Sequence, residues 1–167
     1  GIVVNLSMLE KLIVFFVRKT KGYITKTQLV KFLYLADLAA VKWTEKQLTD
    51  LDWRYYKYGP WNEEIDLALD RLCADNILKI IEQGNIILIQ PAANCPELKS
   101  FNLTKGLELM LDNIRHEWAG ANKVNSLLEY VYSTEPMIDA QRKHDWTEQA
   151  PLNLYLEHEK VCKELGV

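Results

Sequence analysis

The sequence has 167 residues, of which 49% are hydrophobic and 26% are charged, and its formal net charge is −3. This length and apolar content predict one compact domain over residues 1–167. The net negative charge gives no general attraction to nucleic acid or to anionic membranes. The longest apolar run, residues 12–17, is too short to span a bilayer and lacks a signal-peptide cleavage site, so no membrane partner is expected.

The three cysteines, Cys73, Cys95 and Cys162, are odd in number and far apart in the chain. Their spacing indicates neither a disulfide framework nor a zinc ribbon, and we expect a reducing cytoplasm. His158 and Cys162 stand four residues apart, a workable spacing for two metal ligands. The sequence offers no second ligand pair, so partial burial is the favoured interpretation, and neither a metal nor a cofactor is predicted.

The first half of the chain predicts two helices with clear starts. Ser7 and Glu10 form a capping box that opens the first helix, and Gly22 is expected to end it. Residues 25–28 open a second helix through Val41, which is apolar almost all round and is therefore predicted to be central and buried. Asp37 lies in this apolar setting. A structural acid that accepts backbone or tyrosine donors is favoured over a functional acid, because no second catalytic group adjoins it in sequence.

Five aromatic residues fall within residues 52–61, which predict a half-buried strand. Before it, residues 44–47 resemble a third capping box and predict a short helix through Leu51. Gly59 and Pro60 are expected to stop the strand at a corner. Strand alternation would place Trp53, Tyr55 and Lys57 on one side and Arg54, Tyr56 and Tyr58 on the other. Asn62 can then cap a helix whose first turn holds Glu63 and Glu64.

The second half of the chain predicts a β-hairpin over residues 77–90, with its turn at Gly84 and Asn85. A loop follows over residues 91–96, and helices are expected over 104–118 and 122–132. Residues 136–149 are predicted to be a loop, and Pro151 to begin a last helix. The predicted fold is mainly α (α+β): a compact helical domain with a short aromatic strand, a β-hairpin and winged-helix-like elements, its core completed by helices within residues 104–165.

This element order leaves a DNA-binding alternative open, because a hairpin after a helix resembles the wing of a winged helix-turn-helix. The helix before the hairpin would then read DNA, but it is acidic and would repel phosphate. A basic N-terminal cluster could contact the DNA backbone, although scattered lysines are more often solvated surface. Nucleic acid is therefore an unlikely partner. The cluster consists of Arg18, Lys19, Lys21, Lys26 and Lys31.

Two segments carry a resemblance to a known family. Residues 31–37 read Lys-Phe-Leu-Tyr-Leu-Ala-Asp, and residues 56–60 read Tyr-Lys-Tyr-Gly-Pro. Their order and spacing, followed by the acidic helix start at residues 61–65, resemble the SocA/Panacea antitoxin-like family over residues 8–90. The family signature falls on Tyr34, Asp37, Tyr58, Gly59 and Pro60 in this sequence.

The resemblance implies a mostly helical, non-enzymatic domain found in prokaryotes and their mobile elements. Its members act by binding proteins: they neutralise a toxin directly, or they deliver it to a protease as an adaptor. The implied partner is therefore a protein, either a toxin or a protease. Aromatic and acidic residues around the predicted corner are the candidate contacts. They are Trp53, Tyr56, Trp61, Glu63 and Glu64.

Overall fold

The computed structural model describes residues 5–57, 59–145 and 147–167, and these form seven α-helices and six short strands. The mainly helical α+β prediction is confirmed. Two short 3₁₀ helices, Leu98–Phe101 and Ala121–Lys123, lie between longer elements. The elements in chain order are α1 (Met8–Lys19), β1 (Ile24–Thr25), α2 (Lys26–Thr44), β2 (Arg54–Tyr56), β3 (Gly59–Trp61), α3 (Glu63–Ala74), β4 (Leu78–Gln83), β5 (Ile86–Pro91), α4 (Lys105–Trp118), α5 (Val124–Tyr132), α6 (Glu135–Lys143), β6 (Ala150–Pro151) and α7 (Tyr155–Leu165).

Helix α2 is the centre of the fold, as its apolar residues predict. The side chain of Thr25 accepts from the amide of Gln28, and the Gln28 side chain accepts from the amide of Thr25, so the predicted capping box is present. Twelve of the nineteen residues in α2 are buried. The helix runs three residues beyond the predicted Val41 and stops at Glu45, which adopts a left-handed conformation with φ of 63°. Helices α1, α4, α5 and α7 pack against it.

The predicted hairpin at residues 77–90 is confirmed and belongs to a three-stranded antiparallel sheet in the order β1–β5–β4. Gln83 lies opposite Ile86, so Gly84 and Asn85 form the two-residue turn, and Gly84 has a φ of +62° that favours glycine. Strand β1 joins this sheet through Ile24 and Ile89. The hairpin therefore follows α3 directly, in the wing-like order that the sequence predicts.

The aromatic segment differs from the prediction of one strand that stops at a corner. It forms two strands, β2 and β3, in a tight hairpin, and Gly59 and Pro60 lie inside β3. Proline is tolerated here because β3 is the edge of its sheet, so no strand needs the missing donor on its outer side. The sheet order is β3–β2–β6, and Lys57 turns the chain with a φ of 48°.

Three further predictions of local structure are wrong. Residues 44–51 form no separate helix, because Thr44 still belongs to α2 and the following loop wraps around Asp37. Residues 136–149 are not all loop, since α6 occupies much of this segment, and Pro136 fits its first turn, where a backbone donor is not needed. Pro151 pairs in strand β6 instead of opening the last helix, which begins at Tyr155.

The predicted starts of α1, α3 and α4 are confirmed. Ser7 and Glu10 form the first capping box, and Asn62 caps α3 through the amide of Glu64. Thr104 caps α4, as predicted. The three cysteines are free. Within the described part of the chain, no helix combines the length and apolarity needed to cross a bilayer.

Candidate functional site

Asp37 is fully buried on α2, and its carboxylate is surrounded by donors from the loop that follows the helix. Oδ1 accepts from the amides of Leu48 at 2.9 Å and Thr49 at 3.0 Å. Oδ2 accepts from the Thr49 hydroxyl at 2.5 Å and from Trp53 Nε1 at 2.8 Å. The Gln47 amide donates to the same oxygen at 3.3 Å. Both carboxylate oxygens are therefore used in holding the loop and the tryptophan.

This environment assigns Asp37 the structural role that the sequence favours. Burial raises the pKa of Asp37, and hydrogen bonds from Thr49 and Trp53 lower it in part. Every partner is a donor, which matches an acceptor with two oxygens. The Gln47 side-chain amide also donates to the carbonyls of Thr49 and Leu51. Gln47 therefore ties the start of the loop to its later residues.

Tyr34 lies one helical turn before Asp37 and connects the same cluster to the C-terminal helices. Its ring packs edge-on against Trp53 with 5.5 Å between ring centroids. Its hydroxyl lies 2.8 Å from Thr134 Oγ1, which itself donates to the Val131 carbonyl at 2.6 Å. Because a threonine hydroxyl has one hydrogen, the Tyr34 hydroxyl is the donor in this pair. Burial is the largest cause that raises the pKa of Tyr34.

Two further signature residues, Gly59 and Pro60, lie in β3, next to α2. Gly59 and Pro60 are buried in β3, and Pro60 is paired with Tyr55. Tyr58 lies outside the described residues. The signature positions on α2 and those on the hairpin therefore come from two segments that pack on each other in the fold.

The five candidate contact residues separate into one buried and four accessible positions. Trp53 is only 1% exposed and donates to Asp37, so it belongs to the core and is not available for direct contact in this conformation. Tyr56 and Trp61 are half-buried neighbours on β2 and β3, with ring centroids 5.2 Å apart. Glu63 and Glu64 are exposed in the first turn of α3. We call Tyr56, Trp61, Glu63 and Glu64 the hairpin face.

Sequence reasoning missed two residues that matter to this region. Lys31 is a buried lysine on α2 that faces the hairpin, although it reads as part of a surface cluster. Glu157 on α7 is also buried, and its carboxylate accepts from the amide of Glu135 at the start of α6. The almost continuous apolar character of α2 was a signal for Lys31, whereas no local pattern indicated Glu157.

A model of the SocA-like antitoxin family, Panacea domain, matches residues 29–117, more than half of the chain. The chain belongs to this family. The matched segment of the Panacea domain begins early in α2 and ends near the end of α4, so it contains the Asp37 cluster and the hairpin face. The search of curated proteins and the search of solved structures each found no match.

The basic cluster of the Panacea chain does not form one phosphate-binding surface. Arg18 donates to the carbonyls of Cys95 and Pro96, both at 2.7 Å. Lys26 pairs with Asp66. With Lys31 buried, only Lys19 and Lys21 remain as exposed members of the predicted cluster.

His158 and Cys162 are neighbours on α7, with 3.4 Å between Nε2 and Sγ. The Nδ1 atom of His158 lies 2.8 Å from the carbonyl of Lys42 near the end of α2, so Nδ1 carries a hydrogen and donates. No group of three or more potential ligands that could hold a metal occurs among the described residues. The histidine therefore joins α7 to the end of α2.

Proposed function

We propose that this Panacea domain is a non-enzymatic antitoxin that neutralises a toxic protein by binding it directly. The observation that carries the proposal is the family match, which includes the Asp37 cluster and the hairpin face in one segment. A surface that is preformed on a rigid scaffold lowers the entropic cost of binding. The buried cluster of Tyr34, Asp37 and Trp53 supplies that scaffold beneath the hairpin.

The hairpin face has the composition of a protein-binding surface. Tyr56 and Trp61 provide adjoining aromatic rings, and tyrosine and tryptophan are enriched in binding hot spots. Glu63 and Glu64 add two exposed carboxylates at its edge, which would suit a basic surface on the toxin. We infer that this face covers a working site of the toxin.

A non-enzymatic mechanism is supported by how the buried acid is used. A general acid or base must reach the substrate through a hydrogen bond or one water molecule. Asp37 is 0% exposed, and both of its oxygens accept from backbone, threonine and tryptophan donors. This carboxylate is therefore occupied in holding the fold.

Co-expression with the product of the neighbouring gene tests the proposal. We expect that product to arrest growth alone, and growth to recover when this chain is produced with it. Direct binding predicts that the abundance of the toxin stays unchanged during rescue. A protease-dependent fall in toxin abundance would instead favour adaptor action. If the product is harmless alone, or equally toxic with this chain present, the antitoxin proposal is contradicted.

DNA binding is the second candidate, and the wing-like order of α3, β4 and β5 is the observation that favours it. It predicts duplex binding that weakens with salt and weakens further when Lys19 and Lys21 are replaced by glutamine. The absence of binding at low salt would remove this candidate.

A further inference from the structure

A cavity of about 440 Å³ lies between α2 and the β2–β3 hairpin, on the side that carries part of the hairpin face. Lys31 lines it from α2, and Gly59 lines it from the hairpin. The aromatic side chains of Tyr56 and Trp61 also line it. The cavity thus combines an ammonium group, a stretch of backbone and two aromatic rings.

Lys31 is unusual because most of its side chain is buried, and no residue that the structure describes supplies its ammonium with a counter-ion. Lys31 is only 9% exposed, yet no hydrogen bond or ion pair joins its side chain to any residue that the structure describes. Burial lowers the pKa of Lys31. The Lys31 ammonium is not among the buried polar atoms that lack a partner, so it opens to the cavity, where partial desolvation strengthens its attraction for an anion. The cavity therefore contains a donor whose partner is not supplied by the described chain.

The other charged groups around the cavity do not neutralise Lys31. Asp66 is the acid on its lining, and it pairs with Lys26. Lys57 lies over the Tyr56 ring, with its Nζ 5.3 Å from the ring centroid. Three lysines thus face a single aspartate in a chain whose overall charge is negative. The local excess of positive charge favours an anion.

The backbone of β3 approaches the Lys31 ammonium at Gly59. A Cβ at this position would lie 3.7 Å from Lys31 Nζ, an ordinary van der Waals contact, so the backbone at Gly59 forms a wall of the cavity beside the ammonium.

We propose that Lys31 and this cavity form a carboxylate-binding site that receives an aspartate or glutamate side chain of the partner protein. One carboxylate would neutralise the ammonium of Lys31, and the rings of Tyr56 and Trp61 would cover the aliphatic part of the acidic residue. Phosphate carries more charge and is usually held by arginine forks or by several backbone amides. The inference rests on the proposed function, because it identifies one contact made on the hairpin side.

The site can be tested without the toxin, by NMR titration of the full chain with a probe. The probe is N-acetyl-glutamate amide, and the neutral control ligand is N-acetyl-glutamine amide. We expect saturable shifts of the Lys31 Cε and Trp61 indole signals with the glutamate probe alone. Lys31→Met should weaken probe binding about tenfold or more, whereas Lys79→Met, which removes an exposed lysine on β4 outside the cavity, should leave it nearly unchanged.

Circular dichroism shows whether Lys31→Met folds, and the comparison of the two ligands on the unaltered chain needs no variant. Equal shifts with both ligands, or no saturable shift, would overturn the inference. Tighter binding of inorganic phosphate than of the glutamate probe would also overturn it, because the site would then suit a phosphate ligand. Probe binding without growth rescue would contradict the proposed function alone, and growth rescue without probe binding would contradict this inference alone.

Discussion

At the scale of single residues, two signature side chains act through hydrogen bonds that join distant segments. Asp37 fixes the loop after α2 and orients Trp53. Tyr34 reaches across the core to Thr134, one hundred residues further along the chain. These contacts explain a buried tyrosine and a buried aspartate in the same helix, since each would otherwise leave polar groups without partners.

Replacing Asp37 with alanine is expected to destabilise the fold. The change leaves the amides of Leu48 and Thr49 and the Trp53 indole without their acceptor, which should lower the free energy of unfolding by about 1–3 kcal/mol. Urea unfolding measures the loss. Asp50→Ala is the matched control, because this aspartate is exposed in the same loop and its removal should cost less than about 0.5 kcal/mol. Equal stability of Asp37→Ala and the unaltered chain would disprove the structural role.

Tyr34→Phe removes one buried hydroxyl and keeps the ring that packs on Trp53. Loss of the hydrogen bond to Thr134 should lower the free energy of unfolding by about 1 kcal/mol. Tyr23→Phe is the control, since Tyr23 is 79% exposed, and thermal unfolding of the two variants should separate them. A melting temperature of Tyr34→Phe that matches that of Tyr23→Phe would contradict a contribution from this bond.

At the scale of elements, local sequence patterns correctly predicted the features that depend on residues close together in the chain. The capping residues and the buried stripe of α3 follow from neighbours within four positions in the chain. The β2–β3 hairpin was read as one strand because glycine and proline usually interrupt strands, whereas an edge strand tolerates both. Strand β6 could not be predicted, because Ala150 and Pro151 become strand residues only by pairing with β2.

Helix α6 shows how a distant residue supports an element that its own sequence indicates weakly. The carboxylate of Glu157 accepts from the amide of Glu135 at 3.1 Å, at the end of the helix where unpaired donors and the positive dipole lie. Nothing near residue 135 in the sequence points to this acceptor. Local sequence therefore predicts a loop over residues 136–149, whereas in the fold much of this segment is helix α6.

Glu157→Ala should lower the free energy of unfolding by about 0.5–2 kcal/mol, because it removes this cap from α6. Its control is Glu159→Ala, which removes an exposed acid from the same helix and should have a smaller effect. Chemical unfolding gives both values. If the two variants lose the same stability, the capping role of Glu157 is not supported.

At the scale of the whole molecule, the family match ends at residue 117, yet later segments complete the structure around the signature. Thr134 binds Tyr34, strand β6 extends the hairpin sheet, and the amide of Leu152 donates to the Trp53 carbonyl at 3.0 Å. The sequence predicted a helical domain and the signature residues. It could not separate buried Trp53 from accessible Trp61, because that distinction depends on the hairpin and on Asp37.

The affinity of the toxin for a Trp61→Ala variant tests the central claim most directly. We expect the change to weaken binding by about 2 kcal/mol or more, since Trp61 lies on the hairpin face. Trp43→Ala is the matched control: Trp43 is 65% exposed and lies about 18 Å from Lys31 along α2. Titration calorimetry on variants with matched folded fractions should show near-normal affinity for Trp43→Ala. Unchanged affinity of Trp61→Ala, or an equal loss in Trp43→Ala, would contradict binding through the hairpin face.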